Sequence, residues 1–445
     1  MVSSIMQDRA AQLLLLSYPE GGYDTALIRL EKASIKISAG DAAYTPWGQA
    51  ALLTLARCAV RMFRGGVYLS SPMEQAVILG NRMGMPLSRI LIELGCRVEI
   101  APDHAASVYV GGEDVGNGCQ LRCWADGWSG ITSPRSADNI QFEGNEIGGS
   151  IAGALAASEL FRMEVLGDVR AGKRIQRVSA LCPSNGSEAE PLEYLPSKCW
   201  LLGLGNLGQA TLWILSLLPY RDPFDVSLYL QDVDISGLEN LDIQILTTHN
   251  WVGRKKTRAA AEFAEGRGFG VVISERRFAE TSARTQHEPG LLFCGVDNLD
   301  TRRIAAQPQV GFDLVIDAGL GGSASEIFDI RIHSFPGFKS PTDVWPHQKP
   351  AIGERSLPTS LDSLVKQGRL NKCGALSINE TSVGVPSTAV VAAAIQVGQA
   401  CRAIATSQYC DLVDISLRDT SSITIHQATL NAKSALAYQK SFRAK

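Results

Sequence analysis

The residues with the clearest chemical potential begin at a glycine turn. Gly203-Leu204-Gly205-Asn206-Leu207-Gly208 satisfies G-x-G-x-x-G, directly behind the apolar run Cys199-Trp200-Leu201-Leu202 and ahead of a helical pattern. Glycines there let the backbone approach a phosphate, and a helix amino terminus offers unsatisfied N–H groups with partial positive charge. Asp232 closes the next apolar run, the position from which a carboxylate takes ribose hydroxyls. Up to Asp232, a nicotinamide-dependent oxidoreductase fits as well as an ATP-using enzyme.

Beyond Asp232 the chain departs from a dehydrogenase. Asp234, Asn240 and Gln244 come next, then Val252-Gly253-Arg254-Lys255-Lys256, and later Val296-Asp297-Asn298 with Arg302 one turn further on. Lys256 supplies a compact positive charge suited to phosphate, and Asp297 a hard oxygen ligand suited to Mg²⁺. Either alone reads equally as a surface lysine or a strand-end aspartate.

In order and spacing, DVDISGLENLDIQ, VGRKK and DNLDTR behind the glycine turn resemble the E1-like adenylating enzymes. That superfamily contains the ubiquitin-activating enzymes and the sulfur-carrier activators of thiamine and molybdopterin synthesis. Its pattern runs G-x-G-x-x-G, D-x-D-x(5)-N-L-x-R-Q, V-G-x-x-K and D-N-x(3)-R, and the likeness covers residues 196–405. It implies a nucleotide site for ATP built from Gly203, Gly205, Asn206, Gly208, Asp232, Asp234, Asn240, Gln244, Lys256, Asn298 and Arg302. Asp232 would hold the ribose, Asn240 and Gln244 would line the phosphates, and Asp297 would carry Mg²⁺. Arg302 is open to a second reading, as a brace for the Asp297 turn. The chemistry is consistent: adenylation exposes the α-phosphate to a carboxylate and neutralises the departing pyrophosphate. Two departures stand out. Ile243 replaces the arginine before the glutamine, and Asn206 replaces the second glycine of the common G-x-G-G-x-G form. A family motif near Y-x-R-Q, whose arginine serves a neighbouring ATP, is loosely echoed by Asp8-Arg9-Ala10-Ala11-Gln12; the plain reading of Arg9 is an exposed helix arginine.

Ten cysteines occur, with no C-x-x-C pair, so no structural zinc is expected. Cys199, Cys294, Cys401 and Cys410 fall in apolar elements and read as buried. Cys373 stands in a polar crossover, about residues 338–385, beside Lys372, whose charge favours the reactive thiolate. By resemblance this crossover carries the nucleophile in thioester-forming members, which makes Cys373 the candidate; by itself the sequence also admits a semi-buried loop thiol.

The elements that must position these residues are α/β. The carboxy-terminal half alternates strand, glycine turn, helix and strand, with a helix over 255–264, strands over 270–274, 291–296 and 313–317, and a helix over 300–306. The amino-terminal half lacks a glycine fingerprint. It shows strand patterns at 65–71, 97–101, 107–112 and 120–124 and helical patterns at 74–84 and 87–95. Each half closes on a small-residue helix, at 148–162 and 385–402. The fold expected from the resemblance is two Rossmann-like adenylation folds in tandem: a degenerate, inactive one at 1–179, a linker at 180–197, and an active, doubly wound one at 198–445.

The chain has 445 residues, enough for two domains, 45% hydrophobic and 20% charged, and its 42 basic and 45 acidic residues leave a net charge of −3. That balance argues against nucleic acid or an anionic membrane as partner. The four-leucine run behind Asp8-Arg9 is too short for a secretory signal, and the apolar stretch around 389–394 is interrupted by Gln396, Gly398, Gln399 and Arg402, so a cytoplasmic protein is expected. Without zinc pairs, a large catalytic-cysteine domain or an E2-recruiting domain, the architecture resembles the E1-like proteins of bacterial ubiquitin-like conjugation operons, Bil-type antiphage systems among them. The resemblance implies a ubiquitin-like modifier and an E2-like acceptor as partners. A sulfur-carrier or small-carboxylate activator without a thioester step is the alternative, and whether two copies form a homodimer is left open.

Overall fold

The computed structural model describes residues 11–14, 22–70, 73–113, 119–136, 143–181, 193–321, 323, 325–347, 359–368, 384–430, 436 and 439–444. Apolar runs too continuous for a half-exposed strand form the parallel centres of two sheets, as burial on both faces requires. In the amino half the strands are β1 (Ser34–Ala39), β2 (Gly66–Leu69), β3 (Ala106–Val110), β4 (Leu121–Asp126), β5 (Ser129–Ser133) and β6 (Gln176–Ser179). Their order is β2-β1-β3-β4-β5-β6, parallel through β4 and antiparallel beyond.

After β7 (Tyr194–Pro196), the carboxy half contributes β8 (Lys198–Leu202), β9 (Ser227–Gln231), β10 (Gly270–Ser274), β11 (Leu291–Cys294), β12 (Leu314–Leu320), β13 (Asp329–Phe335), β14 (Gln408–Ser416) and β15 (Asp419–Thr429). They lie in the order β10-β9-β8-β11-β12-β13-β14-β15, parallel through β12 and antiparallel from β13. Both sheets are therefore mixed. A small third sheet pairs β7 with β16 (Lys440–Phe442), so the end of the expected 180–197 linker is a strand. Its beginning is tied down as well: Gln399 Nε2 donates to the carbonyls of Ala180 and Leu181 at 2.8 and 3.1 Å.

Four helices join the sheets: Pro46–Met62, Glu146–Glu164, Asn206–Leu217 and Pro386–Thr406. Thr45 caps the first by accepting from Gly48 N–H, with Pro46 at its first position, and Asn145 caps the second through Ile147 and Gly148 N–H. They are apolar nearly all round, as helices buried between layers must be, and they share one continuous core drawn from both halves. Across it, Ser158 Oγ donates to Ser387 Oγ at 2.8 Å and Trp213 Nε1 to Thr54 Oγ1 at 3.0 Å. Pro386–Thr406 is long and apolar enough to cross a membrane, yet 83% of its apolar window is buried in this core.

Two amino-half expectations fail. The segment 74–84 is not an α-helix; it is a loop with a single short turn at Gly80–Arg82. Gly80 and Gly84 take positive φ, Gly84 N–H bonds back to Val77 O, and the buried Gln49 amide serves Ile78 N–H and the Ala76 carbonyl in place of helical partners. The segment 97–101 is not a strand: Arg97 alone bridges to Tyr68, and Val98 and Ile100 are exposed.

Candidate functional site

The glycine turn links β8 to the helix Asn206–Leu217. Gly203 has φ +85°, which favours glycine, and a Cβ on it would stand 2.9 Å from Val296 Cγ1. A Cβ on Gly208 would overlap the Gly203 carbonyl oxygen, so the helix seats against the turn only because Gly208 has no side chain. Gly205 is the helix N-cap and Asn206 its first residue. Asn206 Oδ1 is buried with no hydrogen-bond partner among the described residues. β8 and β11 are parallel neighbours, with Leu202 opposite Cys294, and the helices after them leave from their carboxyl ends. This is the switch point where doubly wound sheets bind ligands.

Asp232 lies just beyond β9 and faces the turn. Its Oδ2 accepts from Leu204 N–H at 2.6 Å and its Oδ1 from Asp234 N–H at 2.8 Å. Asp234 leads to Lys256, the first residue of the helix Lys256–Glu265: the Lys256 N–H donates to Asp234 O at 3.1 Å, and its Nζ stands 2.9 Å from Asp234 Oδ2. Asp297 is exposed on the β11 loop, next to the glycine turn through Val296. The four glycine-turn residues, Asp232, Asp234, Lys256 and Asp297 thus follow the carboxyl ends of the neighbouring interior strands β8, β9 and β11.

The remaining expected residues serve the frame. Asn298 Oδ1 accepts from Thr301 N–H at 2.9 Å and caps the helix Leu299–Ala305. Arg302 Nε donates to Val296 O at 2.7 Å, and its Nη1 pairs with Asp317 Oδ2 at 3.0 Å. Arg302 therefore braces the loop that carries Asp297. Asn240 Oδ1 accepts from Gly237 N–H at 2.9 Å. Gln244 is 3% exposed, beneath the turn, with Oε1 accepting from Gln209 Nε2 at 2.7 Å and from Thr247 Oγ1 at 2.9 Å. Two supports escape sequence reading. Asp317 is 1% exposed, and burial holds its carboxyl above the usual range despite Arg302 beside it. Gln209 also bonds the Leu204 carbonyl at 3.2 Å; a glutamine buried in so apolar a helix was the available signal.

Magnesium held by one protein carboxylate and substrate phosphates needs no cage of ligands, so exposed Asp297 suits it, and no cluster of three or more metal-ligating side chains occurs among the described residues. Cys373 and Arg9 lie outside the described residues. The chain re-enters at Gly384, where a Cβ would stand 3.3 Å from Asn206 Nδ2, which brings the end of the crossover onto the glycine turn. Burial pushes the thiols of Cys58, Cys96 and Cys401 up to about 12 and raises those of Cys123, Cys199 and Cys294.

Residues 34–180 match the family described as the BilD N-terminal domain, and residues 195–407 the BilD C-terminal domain. The Bacterial E1-like protein BilD of Collimonas sp. (strain OK412) is 29% identical over 405 residues, covering 88% of this chain and 87% of the relative. Solved structures of PaaA (17% identity, TM-score 0.33) and of E. coli MccB with MccA-N7isoASN (16% identity, TM-score 0.34) are more distant, each comparison covering 53% of this chain and 64% of the other. With both halves of the chain matched in order, this protein belongs to the BilD family of bacterial E1-like proteins.

Proposed function

We propose that this chain activates a ubiquitin-like protein at the expense of ATP. The modifier's terminal carboxylate attacks the α-phosphate, forming the acyl adenylate as the bond to pyrophosphate breaks. The Cys373 thiolate then attacks the acyl carbon, AMP leaves, and the resulting thioester passes to an E2-like partner. The observation that carries the reading is that Asp232 faces the glycine turn and leads through Asp234 to Lys256, while Val296, the neighbour of Asp297, packs on Gly203 from the other side. Lys256 would offset phosphate charge. Bound Mg²⁺, held by Asp297, would neutralise the leaving pyrophosphate. Burial makes the thiols of Cys58, Cys96, Cys123, Cys199, Cys294 and Cys401 hard to ionise, which counts against them as nucleophiles and leaves Cys373, beside Lys372 in the polar crossover, as the candidate.

The amino half reads as an inactive copy of the same fold. A Cβ on Gly48 would overlap the Ala42 carbonyl oxygen, as one on Gly208 would overlap that of Gly203, so the helices Pro46–Met62 and Asn206–Leu217 each seat through a glycine against the turn before them. Over β1 and β3 of the amino half, however, the Tyr109 hydroxyl stands where a Cβ on Gly40 would lie, and donates to Glu113 Oε1 at 3.3 Å. A tyrosine and a carboxylate there displace and repel a phosphate. The proposed setting is a bacterial ubiquitin-like conjugation system in the cytoplasm, with antiviral defence as its physiological role, and Arg9 is kept as the candidate to reach the ATP from the amino half.

The test is ATP–pyrophosphate exchange with candidate modifiers, scored in parallel for an adduct cleaved by thiol reductant. Exchange with such an adduct is expected. Exchange without one would favour a sulfur-carrier or small-carboxylate activator, and tight NADH binding without ATP binding would replace adenylation altogether.

A further inference from the structure

The helix Pro46–Met62 of the amino half turns two arginines toward the segment 244–247 of the carboxy half. Arg61 Nε donates to the Gln244 carbonyl at 2.9 Å and its Nη2 to the Thr247 carbonyl at 2.9 Å, while its Nη1 holds the Arg57 carbonyl at 2.7 Å. Arg57 lies over the Trp213 ring, 4.4 Å from its centroid, with Nη1 3.4 Å from the Ile245 carbonyl. Burial, and then the charge of Arg61, pushes Arg57 down to about 9, and burial pushes Arg61 down to about 10. Sheltering two cations one helical turn apart is costly, and the carbonyls of 244–247 are what they hold.

That segment is fastened in turn to the glycine turn. Leu246 N–H donates to Gln209 Oε1 at 3.1 Å, and Gln209 Nε2 reaches Gln244 Oε1, Thr247 Oγ1 at 2.9 Å and the Leu204 carbonyl. Leu204 N–H is the group that holds Asp232. A continuous chain of hydrogen bonds therefore runs from Arg61 through 244–247 and Gln209 to Leu204 and Asp232.

We infer that Arg61 is a positioning residue for nucleotide binding: from the amino half it fixes, through 244–247 and Gln209, the backbone that would receive ATP in the carboxy half. The inference rests on the ATP site proposed above. It gives the amino half a task at that site that does not need Arg61 to touch the nucleotide.

The test is MgATP binding by titration calorimetry on the full chain, alongside thermal unfolding. Arg61→Met is expected to weaken binding by about tenfold or more, and Arg61→Lys, which keeps the charge and an ammonium donor but loses the planar fork, by less. Gln209→Leu should weaken it similarly, and the Arg61→Met/Gln209→Leu pair should be no weaker than the worse single variant, because both cut one chain. Ser158→Ala, which removes a hydrogen bond in the same interface away from 244–247, should lower the melting temperature and leave binding within twofold. Wild-type-like binding in folded Arg61→Met or Gln209→Leu would overturn the inference, as would an equal loss in Ser158→Ala at equal destabilisation. Should Arg61→Met not fold, Arg61→Lys and Gln209→Leu decide by the same criterion. A wild-type chain that binds no MgATP would instead overturn the proposed function, and this inference with it.

Discussion

Lys256 Nζ stands 2.9 Å from Asp234 Oδ2, and of the two side chains the lysine is the sheltered one, 9% exposed against 60%. The carboxylate holds the ammonium at the edge of the glycine turn and can give way to a phosphate without leaving a buried charge behind. Lys256→Ala is expected to slow pyrophosphate exchange by the equivalent of about 2–4 kcal/mol, as for a lost transition-state charge contact. Unchanged ATP KM and kcat would show that Lys256 does no more than pair with Asp234.

Asp297→Ala should abolish adenylate formation while leaving the fold intact, since the side chain is exposed. Raising Mg²⁺ should restore part of the exchange rate. Exchange within a few-fold of wild type at ordinary Mg²⁺ would remove Asp297 from the site.

Cys373→Ala should retain MgATP binding and pyrophosphate exchange but form no reductant-sensitive adduct and charge no E2-like partner. Cys373→Ser should trap an oxygen ester that resists thiols. Cys294→Ala and Cys401→Ala, with thiols buried and hard to ionise, are expected to lose some stability and keep the thioester. An adduct that persists in Cys373→Ala and disappears in either control would move the nucleophile.

Burial pushes the Cys96 thiol from 9.0 to about 12. The unfolded thiol ionises first, so its contribution to stability is complete below pH 9 and is lost as pH rises from 9 toward 12. In urea unfolding between pH 8.5 and 11, wild type should lose stability more steeply than Cys96→Ala. Equal slopes would mean that the folded chain ionises this thiol freely.

The carboxy half was legible because its strands are unbroken apolar runs and its turn is written in glycines; every strand expected there is found. The amino half was harder to read. Over 74–84 the apolar spacing is helical, but two glycines at positive φ and a glutamine 29 residues away from Ile78 provide another way to satisfy the backbone. In the site, the order and spacing of linked motifs, more than residue types, singled out Asp232, Lys256 and Asp297 as candidates. Their supports are set by packing: Asp317 meets Arg302 from 15 residues away, and Arg61 meets Gln244 from 183. No local pattern records such distances.

The four-helix layer bears on how this chain could have changed over time. Two of its helices, Pro46–Met62 and Glu146–Glu164, belong to the half without a glycine turn, yet they form the wall against which Asn206–Leu217 and Pro386–Thr406 are buried. Discarding that half would turn the back of the remaining one into a bare apolar face in water. A half without a glycine turn could thus stay indispensable, free to vary at Tyr109 and Glu113 but not along its two buried helices.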